Sequence, residues 1–186
     1  ARTMARTEPQ SYGSAPLSVW LEQHPGAKVG TFPEAARHAE LVINATSGLV
    51  SLEALEQAGE ANLNGKILMD ISNPLDFSKG MPPTLSVCNT DSLGEQIQRA
   101  FPNVKVVKTL NTMNAFVMAH PQQLAQSDHS VFVSGNDAEA KARVSDILRA
   151  FGWADVIDLG DISTARGTEM YLPIWLRLWG ALGTGL

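Results

Sequence analysis

Four short segments of this chain combine small residues with hydroxyl- or amide-bearing ones and carry no charge. They are Thr46-Ser47-Gly48, Ser72-Asn73-Pro74, Asn111-Thr112 and Ser134-Gly135. Their side chains donate and accept hydrogen bonds, as is needed to bind a flat nicotinamide carboxamide and its ribose. Hydrolysis and metal catalysis would call for acid–base groups or metal ligands, which these segments lack. Turn chemistry also favours such residues after a strand, so the interpretation depends on the four segments occurring together.

Each segment ends an apolar run of strand length. The runs cover residues 41–46, 66–72, 105–111 and 130–135, and helical stretches separate them. Near-continuous apolar runs are typical of strands covered on both faces, as in a parallel sheet. The sequence therefore predicts an α/β fold, a Rossmann-like doubly wound sheet in which these four strands are parallel neighbours. Ligands bind beyond the carboxyl ends of the strands in such sheets, where the four segments would meet.

The glycine-rich turn that opens dinucleotide-binding folds is missing from this sequence. No G-x-G-x-x-G is present, and the one G-x-G spacing, Gly183-Thr184-Gly185, follows no strand. That turn normally follows the first strand and binds the pyrophosphate at a helix N-terminus. We therefore expect residues 1–186 to form a single, incomplete NADP-binding domain that lacks its first strand–GxGxxG–helix unit and binds NADPH weakly.

Composition narrows the class of protein. The net charge of −5 argues against nucleic acid or an anionic membrane as the main partner. The single cysteine, Cys88, excludes an intrachain disulfide and a multi-cysteine metal site, and the four histidines have no metal-ligand spacing. The chain shows no charged-then-apolar signal peptide. We expect a cytoplasmic enzyme with small-molecule cofactors, no metal site and no catalytic acid or base.

Charged residues interrupt two of the apolar runs. Asp70 and Asp76 could be paired carboxylates, but Asp70 lies inside a strand run and Asp76 in a loop, so we assign neither to acid–base chemistry. Lys108 and Lys79 could contact phosphates. We expect both lysines to be solvated surface charges instead.

The C-terminal region is predicted to form a long apolar helix over residues 164–181. Its segment MYLPIWLRLWGAL holds two of the four tryptophans, and its single charge is Arg177. The segment is shorter than the roughly 20 residues of a membrane span, and a helix that is apolar all round is usually buried. We expect residues 163–186 to pack in the core or across a homodimer interface, with Trp175 and Trp179 buried together and Arg177 directed elsewhere.

Five blocks, in this order, resemble the NADPH-dependent reductases of the deazaflavin coenzyme F420. The blocks are LVINATSG, ILMDISNPLDFSKGMPPTLSVCNTDSLGEQIQRAFP, VVKTLNTMNA, VFVSGNDAEAK and DISTARGTEMYLPIWLRLWGALG. They cover nearly the whole chain, and their specificity lies in the set. The resemblance implies hydride transfer between NADPH and a deazaflavin, with the two rings stacked face to face. It also implies that the family's first strand and glycine-rich turn would precede this N-terminus, so we expect a truncated chain.

The resemblance further implies which residues bind the cofactors NADP and F420. The groups are Thr46, Ser47, Gly48 and Leu49 on the path from adenosine to nicotinamide, Asn73 and Pro74 near the nicotinamide, Asn111, Thr112 and Ala115 near the stacked rings, and Arg2 near the 2′-phosphate. Two other functions stay open. The chain could be a non-catalytic fragment or pseudo-enzyme with weak cofactor binding, or an oligomerisation module that uses the tryptophan-bearing helix.

Overall fold

A five-stranded sheet forms the centre of the structure, a computed structural model that describes residues 16–183. Across the sheet the strand order is β1-β2-β5-β6-β7, and β3 pairs with β4 in a separate antiparallel hairpin. The strands are β1 (Leu41–Asn44), β2 (Ile67–Asp70), β3 (Leu75–Asp76), β4 (Thr84–Leu85), β5 (Lys105–Thr109), β6 (Ser130–Gly135) and β7 (Asp155–Gly160). The four predicted strand runs therefore belong to one sheet.

The direction of β6 differs from the prediction. β1, β2 and β5 are parallel, but β6 runs antiparallel to β5, and β7 runs parallel to β6. For two consecutive neighbouring strands to be parallel, the chain must cross back from the end of the first strand to the side of the sheet where that strand began. The connection between β5 and β6 contains a helix of only four residues, Ala115–Met118, and two short 3₁₀ turns. It stays at the edge where β5 ends, so β6 must run back.

Helices cover both faces of the sheet. They are α1 (Leu17–Gln23), α2 (Phe32–His38), α3 (Ser51–Ala58), α4 (Glu60–Leu63), α5 (Leu93–Ala100), α6 (Ala115–Met118), α7 (Ala138–Phe151), α8 (Ala165–Met170) and α9 (Leu172–Leu182). Neighbouring strand residues point to opposite faces: Leu68 and Val106 pack in one buried cluster with residues of α3 and α5, and Met69 and Val107 in another with residues of α7. The predicted α/β Rossmann-like fold with a C-terminal apolar helix is confirmed.

Prolines limit two of the helices. Helix α6 ends at Met118, because Pro121 supplies no backbone N–H and disfavours helical geometry in the residue before it. The long C-terminal helix divides at Tyr171 into α8 and α9. Pro173 cannot donate to the carbonyl four residues earlier, so the hydrogen-bond ladder is interrupted there. Residues 28–30 have no regular structure and lead into Thr31, the N-cap of α2.

The last helix is less buried than its composition predicts. Within α9, only Leu172 and Leu176 are buried. The rings of Trp175 and Trp179 lie 5.8 Å apart on one face, but Trp175 is half-buried and Trp179 is 40% exposed, so the expectation that both are buried is wrong. Arg177 is exposed, as expected. No helix within residues 16–183 has both the length and the hydropathy needed to cross a membrane.

Helix α5 begins after its N-cap, Ser92. The Ser92 hydroxyl accepts from the Glu95 N–H at 3.1 Å, and Ser92 is fully buried. The preceding residue, Asp91, accepts two hydrogen bonds from Arg99 at 2.8 and 2.9 Å. The Glu95 N–H therefore depends on one hydroxyl.

We predict that Ser92→Ala lowers the free energy of unfolding by about 1–2 kcal/mol, because the first turn of α5 loses its cap. Urea denaturation monitored by circular dichroism would measure the loss. Thr90→Ala is the matched control, since Thr90 is exposed and does not cap the helix. An equal loss for both variants would contradict this cap assignment.

Candidate functional site

Three of the four polar segments meet at one edge of the sheet. β1, β2 and β5 are parallel, so residues 46–48, 72–74 and 111–112 all follow strands that end at the same edge. The fourth segment does not join them. Ser134 pairs with Lys108 inside β5, and Gly135 with Val107, so that segment leads towards the opposite edge. The antiparallel β6 brings its first residue, Ser130, to the site edge instead.

The loop after β1 packs directly against the loop after β2. A Cβ atom placed on Gly48 would lie 2.1 Å from the carbonyl oxygen of Asn73 and 2.9 Å from Cδ2 of Leu93. Only glycine allows this approach. On the other side of the loop Ser47 and Leu49 are exposed, Leu49 by 54%, and a ligand could contact them there.

A reciprocal amide pair joins the loops after β2 and β5. The Asn73 side-chain Nδ2 donates to the Asn111 carbonyl at 2.9 Å, and the Asn111 Nδ2 donates to Asn73 Oδ1 at 3.0 Å. Asn111 is only 2% exposed, whereas Asn73 is half-buried. Leu110, just before, has a left-handed backbone with φ of 58°, which costs about 1–3 kcal/mol when the residue is not glycine. The surrounding packing holds this turn at the end of β5.

A buried ion cluster lies beneath these loops. The ammonium of Lys108 is 2.9 Å from Asp70 Oδ2 and 2.9 Å from Glu169 Oε1, and all three side chains are at most 2% exposed. Its third hydrogen bond goes to the Ser72 carbonyl at 2.5 Å. The ammonium thus has an acceptor for each of its three protons. The expectation that Lys108 is a solvated surface charge is wrong.

The carboxylates of Asp70 and Glu169 stabilise the positive charge of Lys108. Burial alone would lower the pKa of Lys108, but the Asp70 and Glu169 carboxylates outweigh it, so the pKa is raised above its usual value. Glu169 also accepts the backbone N–H groups of Leu93 and Gly94, at 2.8 and 3.0 Å, which are the first orphan donors of α5. Sequence reasoning missed Glu169 entirely. The available signal was the placement of Asp70 and Lys108 inside apolar runs, where an unpaired charge could not be buried.

Two adjoining cavities open beside the loop after β5. One has a volume of about 350 Å³ and the other about 480 Å³, and both are bounded by Thr112, Ser130 and Tyr171. The first is also lined by Trp153, Trp175, Trp179 and His129. Within the described part of the chain, neither lining includes a Lys, Arg, Asp or Glu side chain. The cavities therefore suit an uncharged aromatic group.

The structure brings together most of the residues expected at the site. The group comprises Thr46, Ser47, Gly48, Asn73, Pro74, Asn111 and Thr112. Pro74 is buried, and Ala115 is exposed at the start of α6. Arg2 lies outside the described residues. Tyr171, Trp175 and Ser130 border the cavities but were not among the expected site residues.

We predict that Gly48→Ala lowers the free energy of unfolding by about 1–3 kcal/mol, because the methyl group must push the two loops apart. Thermal or urea denaturation would measure it. The control is Gly26→Ala, since a Cβ at the exposed Gly26 meets no atom within 4 Å. Unchanged stability for Gly48→Ala would show that the loops are not in this contact.

Comparison with known proteins shows which enzymes this chain is similar to. No protein-family model matches the chain. The F420-dependent NADP reductase of Methanocaldococcus jannaschii is 29% identical over 157 residues, which cover 82% of this chain and 69% of that protein. The metalloreductase STEAP3 of Rattus norvegicus is 32% identical over 118 residues, covering 61% of this chain and 22% of that protein.

One solved structure is much more similar. It is the crystal structure of an Arthrobacter sp. FB24 protein assigned as an F420-dependent NADP reductase, with a TM-score of 0.90 and 65% identity. The match covers 91% of this chain and 77% of the other. The resemblance expected from the sequence is thereby confirmed, and this chain belongs to the F420-dependent NADP reductase family of oxidoreductases.

Proposed function

We propose that this chain transfers a hydride between NADPH and a deazaflavin or another flavin-like acceptor. The main support for the proposal is the position of Thr112. The uncharged polar loops that follow β1, β2 and β5 end at this residue, and it also lines the aromatic cavity. The names of the M. jannaschii and Arthrobacter proteins support the same pair of cofactors. The bound cofactors would supply the hydride chemistry, and the protein would supply their positions.

The strand-end loops fit the nicotinamide and its ribose. The Asn73 amide and the Ser47 hydroxyl offer donors and acceptors without a charge, and Thr46 offers its hydroxyl oxygen. The buried Asn111 amide holds Asn73 in place. Residues 46–49, 73–74 and 111–115 contain no cation that could neutralise a phosphate. We therefore assign to these loops the uncharged half of NADPH. A contact between Arg2 and the 2′-phosphate is proposed from the family resemblance.

The aromatic cavity fits the ring system of the acceptor. Its volume of about 350 Å³ lies within the usual range for small-molecule sites. The indole of Trp175 and the phenol ring of Tyr171 can stack on a flat heterocycle. Because no Lys or Arg side chain lines the cavity within residues 16–183, a negatively charged tail on the acceptor would remain in solvent. Holding both rings against Thr112 is the main catalytic contribution that this geometry can make.

The experiment is NADPH oxidation by the purified chain with coenzyme F420, FMN or no acceptor. We expect the absorbance of NADPH to fall with F420 and more slowly with FMN. Oxidation no faster than in the absence of protein, with NADPH binding retained, would favour the non-catalytic alternative. Absence of NADPH binding would contradict the assignment of the strand-end loops.

We predict that Asn111→Ala lowers both the stability and the hydride-transfer rate. Alanine keeps the backbone carbonyl that accepts from Asn73 but loses the side-chain bond to Asn73 Oδ1. That loss should cost about 1–3 kcal/mol, and the shift of Asn73 should slow transfer by about ten- to a hundredfold. Stopped-flow kinetics and urea denaturation would measure the two effects. Asn62→Ala is the control, since its amide donates to the Ala58 carbonyl on a remote helix. An unchanged rate constant would place Asn111 outside the hydride-transfer site.

We also propose that α9 forms a homodimer interface. Its apolar side chains Ile174, Leu178 and Leu182 are 51%, 45% and 70% exposed, and monomers rarely expose a large contiguous apolar patch. Sedimentation equilibrium should therefore give twice the mass of one chain, and Ile174→Lys should give the monomer. Arg177→Ala, on the same exposed helix, should remain a dimer. A monomeric wild-type chain would contradict the proposal.

A further inference from the structure

We propose that the buried carboxylate of Asp70 sets the hydrogen-bond polarity of the loop after β1, so that Thr46 presents an acceptor to NADPH. Thr46 would then select a donor group of the cofactor, such as a carboxamide N–H or a ribose hydroxyl. The inference rests on the proposed function, because that function makes NADPH the ligand of the loop.

Asn44 connects the carboxylate to the loop. This side chain is 3% exposed and pairs with Asp70 across β1 and β2. Its Nδ2 donates to Asp70 Oδ1 at 2.8 Å and to the Ser51 hydroxyl at 3.0 Å. Its Oδ1 accepts from the Thr46 hydroxyl at 2.7 Å and the Thr46 N–H at 3.3 Å. The amide has therefore used both donors and both acceptor sites.

The orientation of the Asn44 amide follows from the charge of Asp70. Every polar group around this carboxylate donates: the Lys108 ammonium at 2.9 Å, the Ser72 hydroxyl at 2.7 Å, the Ser72 N–H at 3.2 Å and the Asn44 amide. An ionised carboxylate only accepts. Asn44 therefore turns Nδ2 towards Asp70, at 2.8 Å, and Oδ1 towards Thr46, an orientation that the longer contact of 3.3 Å from the Thr46 N–H also favours.

Thr46 receives its polarity from that orientation. A threonine hydroxyl has one proton, and here it is donated inward to Asn44 Oδ1. The neighbouring Ser51 hydroxyl lies 3.0 Å from the Thr46 hydroxyl and 3.2 Å from the Ser47 carbonyl, and it has one proton to donate to either. Because a hydroxyl oxygen has two lone pairs, Thr46 keeps at least one free. Thr46 is half-buried, so a ligand can reach its oxygen. What remains for the ligand is a lone pair, which a phosphate oxygen or a carbonyl could not use.

Replacing Asp70 by asparagine would invert this arrangement. The replacement amide turns its oxygen towards the Lys108 ammonium, since an NH₂ group there would meet the proton that the ammonium now donates to Asp70. Its NH₂ group then faces Asn44, whose amide turns so that Oδ1 accepts from it. The Asn44 Nδ2 would donate to the Thr46 hydroxyl, and the hydroxyl proton would point outward. The turn gives up the two long backbone contacts from the Ser72 N–H at 3.2 Å and the Thr46 N–H at 3.3 Å. NADPH would meet a donor where it needs an acceptor.

The test is calorimetric titration of the chain with NADPH. We expect Asp70→Asn to raise the Kd by about tenfold. Thr46→Val should raise it similarly, and Thr46→Ser should bind within about twofold of wild type. Thr109→Val is the matched control on β5: it removes a buried hydrogen bond to the Phe132 carbonyl and has no contact with this network. Its Kd should be unchanged.

The double variant Asp70→Asn/Thr46→Val separates positioning from a general structural loss. Both substitutions act through one hydroxyl, so the double variant should bind about as well as either single one. Multiplying effects would overturn the proposal, as would wild-type affinity in Thr46→Val, a variant that leaves the buried charges intact even if Asp70→Asn does not fold. Failure of the wild type to bind NADPH would instead contradict the proposed function.

Discussion

The buried ammonium of Lys108 is the constraint on which the rest of the structure depends. A charge in the interior is tolerated only when it is paired and fully hydrogen-bonded, and Lys108 meets that condition with Asp70, Glu169 and the Ser72 carbonyl. These partners come from the sheet, from α8 and from the loop after β2. Removing one member of such a pair typically costs about 3–5 kcal/mol. The cluster therefore holds the sheet, the C-terminal helices and the site loops in one arrangement.

The reversal of β6 has the second large effect on the site. A fully parallel sheet would direct the start of β6 away from the cofactor edge. The antiparallel strand instead brings Ser130 to the same cavity as Thr112, and the short connection between β5 and β6 supplies one wall of that cavity. α9 supplies the facing wall with Trp175 and Trp179. The polar loops and the aromatic cavity are therefore neighbours because the connection between β5 and β6 does not cross back over the sheet.

Local sequence patterns predicted well where the strands lie. They predicted less well in which direction the strands run and which distant residues are in contact. The apolar runs located β1, β2, β5 and β6 because a strand covered on both faces leaves a strong signal in sequence. The direction of a strand depends on whether the connection before it crosses the sheet. Residues 112–129, which connect β5 to β6, have no sequence pattern that predicts such a crossing. The loops after β1, β2 and β5 were predictable from small polar residues. Glu169 was not, because its partner Lys108 is 61 positions away in sequence and only the fold unites them.

The most direct test is whether the loops after β1, β2 and β5 bind the nicotinamide half of NADPH, as measured by NMR chemical shifts. Reduced nicotinamide mononucleotide, which lacks the adenosine 2′-phosphate part, would be titrated into ¹⁵N-labelled protein. We expect the largest shifts at the backbone amides of Ser47, Leu49 and Thr112 and at the side-chain amide of Asn73. Shifts confined to other regions, such as the opposite edge of the sheet around Gly135, would contradict the assignment of these loops to the nicotinamide and its ribose.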